Sequence, residues 1–115
     1  KYDIPILISR HSIVSERALI GKGTSIGHGS IVNAGSNIGK NCIINSQSLI
    51  EHDCVVEDFC HVSTGVLING GTRIGRGSFI GSGAIIREGI TLPPQTIVNS
   101  GQRIMGWPLY ENQKK

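Results

Sequence analysis

Large side chains are scarce in this chain. Its 115 residues include one Trp, two Tyr and two Phe. A globular core of that length ordinarily holds more aromatic surface, so the interior has to be narrow and filled by aliphatic residues. No apolar run reaches the ~18 residues of a membrane span, and no secretory leader is visible. Charge is thin as well: 11 Lys and Arg against 8 Asp and Glu leave a formal net charge of +3, with no runs of one sign. That balance suits a small anionic ligand and argues against nucleic acid as a partner. The three cysteines, Cys42, Cys54 and Cys60, lack metal-type spacing and point to a reducing compartment, so a cytoplasmic location is expected. The length suits one domain. A start at Lys1 rather than Met leads us to expect further sequence upstream.

Glycine is abundant, with 16 residues, and so is periodicity. Stepping by six from Ile8 meets Val14, Ile20, Ile26, Val32, Ile38, Ile44, Ile50, Val56, Val62, Ile68, Ile74, Ile80, Ile86, Leu92, Val98 and Ile104. Every step lands on an aliphatic residue, which marks a repeat. Two residues before these positions runs a column of small residues, among them Ser12, Ala18, Thr24, Ser30, Ser36, Ser48 and the three cysteines. Three residues after runs a glycine column: Gly23, Gly29, Gly35, Gly65, Gly71, Gly77, Gly83, Gly89 and Gly101. A period of six describes a chain that turns a corner every six residues, with each aliphatic residue pointing into a shared interior. Glycine supplies the backbone conformations that other residues resist. One such unit cannot bury its own apolar face, but stacked coils can.

The repeat frame sorts the unusual residues. The cysteines fall in the inward small column and read as packing. In the stretch IEHDCVVEDFCHVSTG, residues 50–65, His52 lies two residues after an inward position and His61 one before. Both therefore face outward. They are nine residues apart, one and a half repeats. His52 stands between Glu51 and Asp53. An imidazole is a good general base at neutral pH, and a carboxylate beside it can fix its tautomer. The competing assignment is a surface histidine in a polar turn. His11 and His28, in the early coils, read as surface residues without a role. Arg73, Arg76, Arg87 and Arg103 are candidates for pairing with phosphates or plain solvated charges. No Ser or Cys stands where a covalent nucleophile would be needed.

The pattern resembles the hexapeptide repeat of the left-handed β-helix over nearly the whole chain. The resemblance implies an all-β fold: a left-handed parallel β-helix, a triangular prism with three hexapeptides per coil, over residues 1–105. Gly106-Trp107-Pro108 resembles the family's exit motif, with Leu109 where the family usually has Ala, and 106–115 is expected as a short C-terminal tail or helix. More narrowly, the run NSQSLIEHDC from Asn45 to Cys54, followed by FCHVSTG from Phe59, is similar to bacterial sugar acyltransferases. These are typified by sialic acid O-acetyltransferase and by the N-acetyltransferases of nucleotide-linked 4-amino sugars.

That resemblance implies an acetyltransferase of bacterial surface-glycan biosynthesis. It would move an acetyl group from acetyl-CoA to an amine, or a hydroxyl, of a sugar or nucleotide-linked sugar by direct attack. The family's general base falls on His52 and the residue that polarises it on Asp53. The acetyl-CoA site falls on His61, on the Gly70 amide facing the thioester carbonyl, and on Ser82 and Ser100. The acceptor residue falls on Asn45. It also implies a homotrimer with active sites between subunits and no metal. Full-length members carry an N-terminal nucleotide-binding α/β domain, which is expected to be absent from this chain. Sialic acid O-acetylation is the nearest alternative. A γ-type carbonic anhydrase needs two histidines five apart, whereas the spacings here are 17, 24 and 9. A non-catalytic trimeric β-helix module would leave the Glu51–Cys54 cluster without explanation.

Overall fold

The computed structural model describes residues 4–109, and the chain forms a left-handed parallel β-helix. Seventeen two-residue strands, from Leu7–Ile8 to Arg103–Ile104, fall into three parallel sheets. Face A stacks Leu7–Ile8, Ser25–Ile26, Ile43–Ile44, His61–Val62, Phe79–Ile80 and Ile97–Val98. Face B runs from Ile13–Val14 to Arg103–Ile104, and face C from Leu19–Ile20 to Thr91–Leu92. Each residue pairs with the one eighteen further on, as in His61 with Phe79 and Leu49 with Leu67. Spacing along the chain thus converts directly into stacking along the prism.

The corners explain the glycine column. From position 23 to 101, the third residue after every inward aliphatic has a positive φ: nine are glycines, and Asn41, Gln47, Asp53, Phe59 and Gln95 take the others, with φ from 54° to 62°. Within the corner the fourth residue donates back to the first, as in Ala84 N to Gly81 O at 3.1 Å and Ser78 N to Gly75 O at 3.2 Å. A bond from the fourth residue to the first, with positive φ at the third, is the signature of a type II turn, which favours glycine there.

The small inward column does more than fit. Its hydroxyls donate to backbone carbonyls of the following coil: Thr24 to Gly39 (2.7 Å), Ser30 to Asn45 (2.6 Å), Ser36 to Glu51 (2.7 Å) and Ser48 to Ser63 (2.8 Å). The cysteines occupy the same place in the ladder, with Cys42 Sγ, Cys54 Sγ and Cys60 Sγ each 3.1 Å from the carbonyl of Glu57, Asn69 and Gly75. They are buried packing residues, as expected, and weak donors too. A narrow prism with little apolar volume meets its corner carbonyls from inside, which spares the cost of leaving them unpaired.

The interior closes unevenly. Ile44, Ile50, Ile68, Ile74 and Ile86 are fully buried, whereas Ile8, at the first inward position, is 47% exposed. At the other end Leu109 packs against the core. The part of the expected C-terminal tail or helix beyond Leu109 lies outside the described residues. Outward strand positions differ by face. Face B carries Ile13, Ile31, Leu49, Leu67 and Ile85 beside Arg103; face A carries Leu7, Ile43, Phe79 and Ile97 beside Ser25 and His61; face C carries the more polar set Leu19, Asn37, Val55, Arg73 and Thr91.

Ile68→Asp is expected to abolish cooperative folding, because it puts an unpaired charge at a site with no solvent access. Ile68→Val should cost only ~0.5–1.5 kcal/mol, and Ile8→Asp, at the open end, should fold. Chemical denaturation of the three variants tests the inward column; a folded Ile68→Asp would contradict it.

Candidate active site

Corner BC, between faces B and C, carries the Glu51–Asp53 cluster. Asp53 takes one of the positive-φ positions, at 58°. Its carboxylate lies over Gly35, directly below in the same column, where a β-carbon would collide with it. Asp53 Oδ2 is 3.1 Å from His52 Nδ1. A carboxylate only accepts, so Nδ1 donates and the basic lone pair is left on Nε2. Glu51 is not a partner of His52: its Oε1 accepts from Asn33 Nδ2 at 2.7 Å. Both His52 and Asp53 are exposed, with side chains about 70% accessible.

Gly70 stacks one coil above His52. A β-carbon there would sit 2.8 Å from His52 Cε1 and Nε2, so the glycine makes room for the ring. Its amide is also free. In the corners from 40 to 100, the second residue's N–H takes no part in the backbone ladder (at Pro94 there is none), and side chains take it at some corners: Asp58 from Lys40, Asn45 from Ser46, Glu57 from Arg76. Among the described residues nothing takes it from Gly70. His52, Asp53, Asn69, Gly70 and Glu88 line an open cleft of about 440 Å3. A base lone pair and an unused N–H donor therefore share one cleft.

The other expected site residues lie elsewhere. His61 is on face A, the side of the prism opposite corner BC. It is half-buried; its ring meets Phe79 edge-on at 5.1 Å, and Nε2 is shielded from solvent with no hydrogen-bond partner among the described residues. An unpaired polar atom in that state is costly unless something else supplies its partner. Asn45 is one coil below, its N–H bonded to Val62 O at 2.8 Å. Ser82 and Ser100 stack at corner AB, beside face A, and Ser82 Oγ is 2.8 Å from Ser63 Oγ. One chain therefore carries two separate groups of residues. His52, Asp53 and Gly70 stand at one corner. Asn45, His61, Ser82 and Ser100 lie along the opposite side.

Three of the arginine candidates are committed to partners, Arg87 through Nη1 donating to Met105 O at 3.1 Å. Arg73 pairs with Glu57 at 2.6 Å, and Arg76 lies 3.7 Å from Asp58 and 4.7 Å over the Phe59 ring. Both belong to face C and its far corner, away from Ser82 and Ser100. The thiols face inward, and burial pushes Cys54 up, which removes it as a nucleophile. Among the described residues no group of three His, Cys, Asp or Glu could hold a metal ion. Gly70's steric role, the Asp53–Gly35 contact and the His61–Phe79 contact were not picked out from sequence, although each pair is separated by the eighteen-residue coil.

No protein-family model matches the chain, and no curated protein matches it significantly. Solved structures do. The acetyltransferase domain of PglB from Neisseria gonorrhoeae is 34% identical, with a TM-score of 0.90 over 91% of this chain and 51% of that one. The same domain in complex with acetyl coenzyme A is 31% identical over 89% and 55%, with a TM-score of 0.80. PerB from Caulobacter crescentus, in complex with CoA and GDP-perosamine, is 30% identical, with a TM-score of 0.90 over 91% and 51%. This chain spans about half the length of the structures it matches. The repeat, the prism and these matches agree: the chain belongs to the hexapeptide-repeat, left-handed β-helix acyltransferase family, and its likeness there is to amino-sugar acetyltransferases.

Proposed function

We propose that this protein is an acetyl-CoA-dependent N-acetyltransferase acting on the amine of a nucleotide-linked amino sugar for bacterial surface-glycan assembly. The observation that carries the proposal is the cleft at corner BC, which is lined by both His52, with its free Nε2, and Gly70, with its unused amide. The solved relatives with acetyl coenzyme A, CoA and GDP-perosamine bound support the substrate classes. In this mechanism His52 Nε2 takes a proton from the acceptor amine as its nitrogen attacks the thioester carbonyl. The Gly70 N–H donates to the oxyanion that develops, the kind of preorganised contact that contributes most to such reactions. The C–S bond then breaks, and His52 returns the proton to the departing thiolate. Asp53 holds the ring and stabilises the imidazolium.

The site also needs a second chain. His61, Asn45, Ser82 and Ser100 form the other half of it, on the opposite side of the prism, so a neighbour has to present that half to His52. Three copies in a closed ring supply three such pairings. The apolar outer positions of faces A and B, in contrast with polar face C, suit packing against neighbours. His61 Nε2, unpartnered in one chain, would meet the donor there, and the free amides at Ser82 and Ser100 would follow CoA along the axis. Three free buried thiols suit a reducing, cytoplasmic setting.

Assays with acetyl-CoA and two acceptors, GDP-perosamine and a UDP-linked 4-amino sugar, test the activity. His52→Ala should lower kcat ~10²–10⁴-fold and leave acetyl-CoA binding unchanged by calorimetry, with Asp53→Asn losing less. Transfer to neither acceptor by the wild type, or normal turnover in His52→Ala, would refute the proposal.

Gly70→Ala, whose φ an alanine tolerates, should fold normally yet lose turnover because the methyl displaces the His52 ring. Circular dichroism alongside the assay separates the two effects, and full activity would remove Gly70 from the site.

Mixing the His52→Ala protein with a His61→Ala protein, after dissociation and reassembly, should recover up to about a quarter of wild-type activity, the share of interfaces pairing two intact halves in a random ring. Light scattering should give a trimer. No recovery in a verified mixed trimer would place both histidines' work within one chain.

A further inference from the structure

A surface cleft lies on face A below His61, at the first three coils. It measures about 520 Å3, within the range of small-molecule sites. Its origin is a single residue choice. In the outward column of face A, Ser25 stands between Leu7 and Ile43, so the face dips by the missing bulk. Leu7 and Ile43 give the dip apolar walls, and Ser9, His28 and Asn45 give it a polar rim.

That rim is organised. Ser9 Oγ lies 2.6 Å from His28 Nδ1 and accepts the His11 N–H at 3.1 Å. The Ser9–Nδ1 bond holds the ring, and His28 Nε2 keeps no hydrogen-bond partner among the described residues. Asn45 commits Oδ1 to its own corner, at the Ser46 N–H (2.8 Å), which leaves its amide N–H2 free. Two unused polar groups, His28 Nε2 and the Asn45 N–H2, thus border a dip with apolar walls, on adjacent coils whose strands stand ~4.8 Å apart, a scale comparable to a pyranose ring. A sugar ring matches this surface: C–H groups on its face, hydroxyl oxygens at its edge.

The axial order is the second argument. From the first coil upward, the chain carries Ser9, His28, Asn45 with His52, His61 with Gly70, then Ser82 and Ser100. If subunits pack side by side with parallel axes, the base of one chain meets face A of its neighbour between the dip and the Ser82–Ser100 column. Donor and acceptor would then approach the base from opposite ends of the prism.

We propose that the dip at Ser25 is the acceptor subsite, holding the pyranose ring of the nucleotide-linked sugar, with His28, positioned by Ser9, reading its hydroxyls. This rests on the function proposed above. His28 and Ser25 are selectivity residues here, and neither belongs to the proton-transfer machinery.

The test uses whichever acceptor is turned over in the assays above. His28→Ala should raise its KM about tenfold, the usual worth of one hydrogen bond at a partly open site, and the KM of acetyl-CoA should stay within about twofold. Ser25→Leu, which fills the dip, should raise the acceptor KM more than His28→Ala while thermal stability holds. Lys40→Ala, at the far corner, should change neither constant. If the wild type transfers acetyl groups and both variants keep the acceptor KM within about twofold, the subsite is wrong and the function stands. A rise in acetyl-CoA KM instead would give the dip to the donor and overturn the proposal. Absence of transfer by the wild type would sink the function itself, and the subsite with it.

Discussion

Everything in this structure depends on a corner that closes every six residues with its third residue in the left-handed region. That conformation is what lets a parallel chain turn about 120° without a loop, and it recurs from Gly23 to Gly101 without a gap. Because the repeat never slips, the eighteen-residue register holds along every face. Columns of like residues result: aliphatics at the centre, hydroxyls and thiols bonded to the next coil's carbonyls, and free second-residue amides along the corners. Five of these left-handed positions hold non-glycine residues, each at some cost in backbone energy. Asp53 is one of them, so the carboxylate that holds His52 sits at a position glycine would occupy more easily. Its conformational cost is local, and the orientation of the base follows from it.

The same rigidity explains why the proposed active site is divided. A prism has no hinge by which opposite sides can approach, so residues at corner BC cannot meet residues on face A of the same chain. Each half, taken alone, is incomplete: His52 and Asp53 are exposed to water, and His61 keeps a shielded nitrogen without a partner among the described residues. In the proposed ring each half completes the other, and packing of the apolar faces would exclude the water that screens charge in an open cleft. Binding energy for the substrates and for the trimer would then be shared across the same surface.

The free amides show how a repeat becomes a binding surface. A regular β-sheet uses every N–H in its ladder, and the corners of this prism leave one per turn pointing outward. At Lys40 and Arg76 acidic side chains use it. At Gly70 nothing among the described residues does, and the absence of a side chain there both admits the His52 ring and leaves the donor reachable. Function here comes from what the corner omits as much as from what it carries.

The period of aliphatic residues by itself determined a stack of six-residue units around an aliphatic interior, with the cysteines facing inward and His52 and His61 outward. Three units per coil, the left hand and the separation of the two histidines onto different sides came from the resemblance to the hexapeptide repeat. The His52 cluster was legible as a base between carboxylates, but the residues alone did not choose between them, and only the resemblance put the role on Asp53; in the structure Asp53 lies against the ring, and Glu51 is held by Asn33 eighteen residues before it. The tertiary structure alone decided the contacts between coils. Gly70 against the His52 ring, His61 against Phe79, Arg73 against Glu57 and Ser9 against His28 all join residues about one coil apart in sequence. The physical reason is that a six-residue pattern specifies which way a side chain points, whereas the rotamer it adopts depends on the neighbours stacked above and below it.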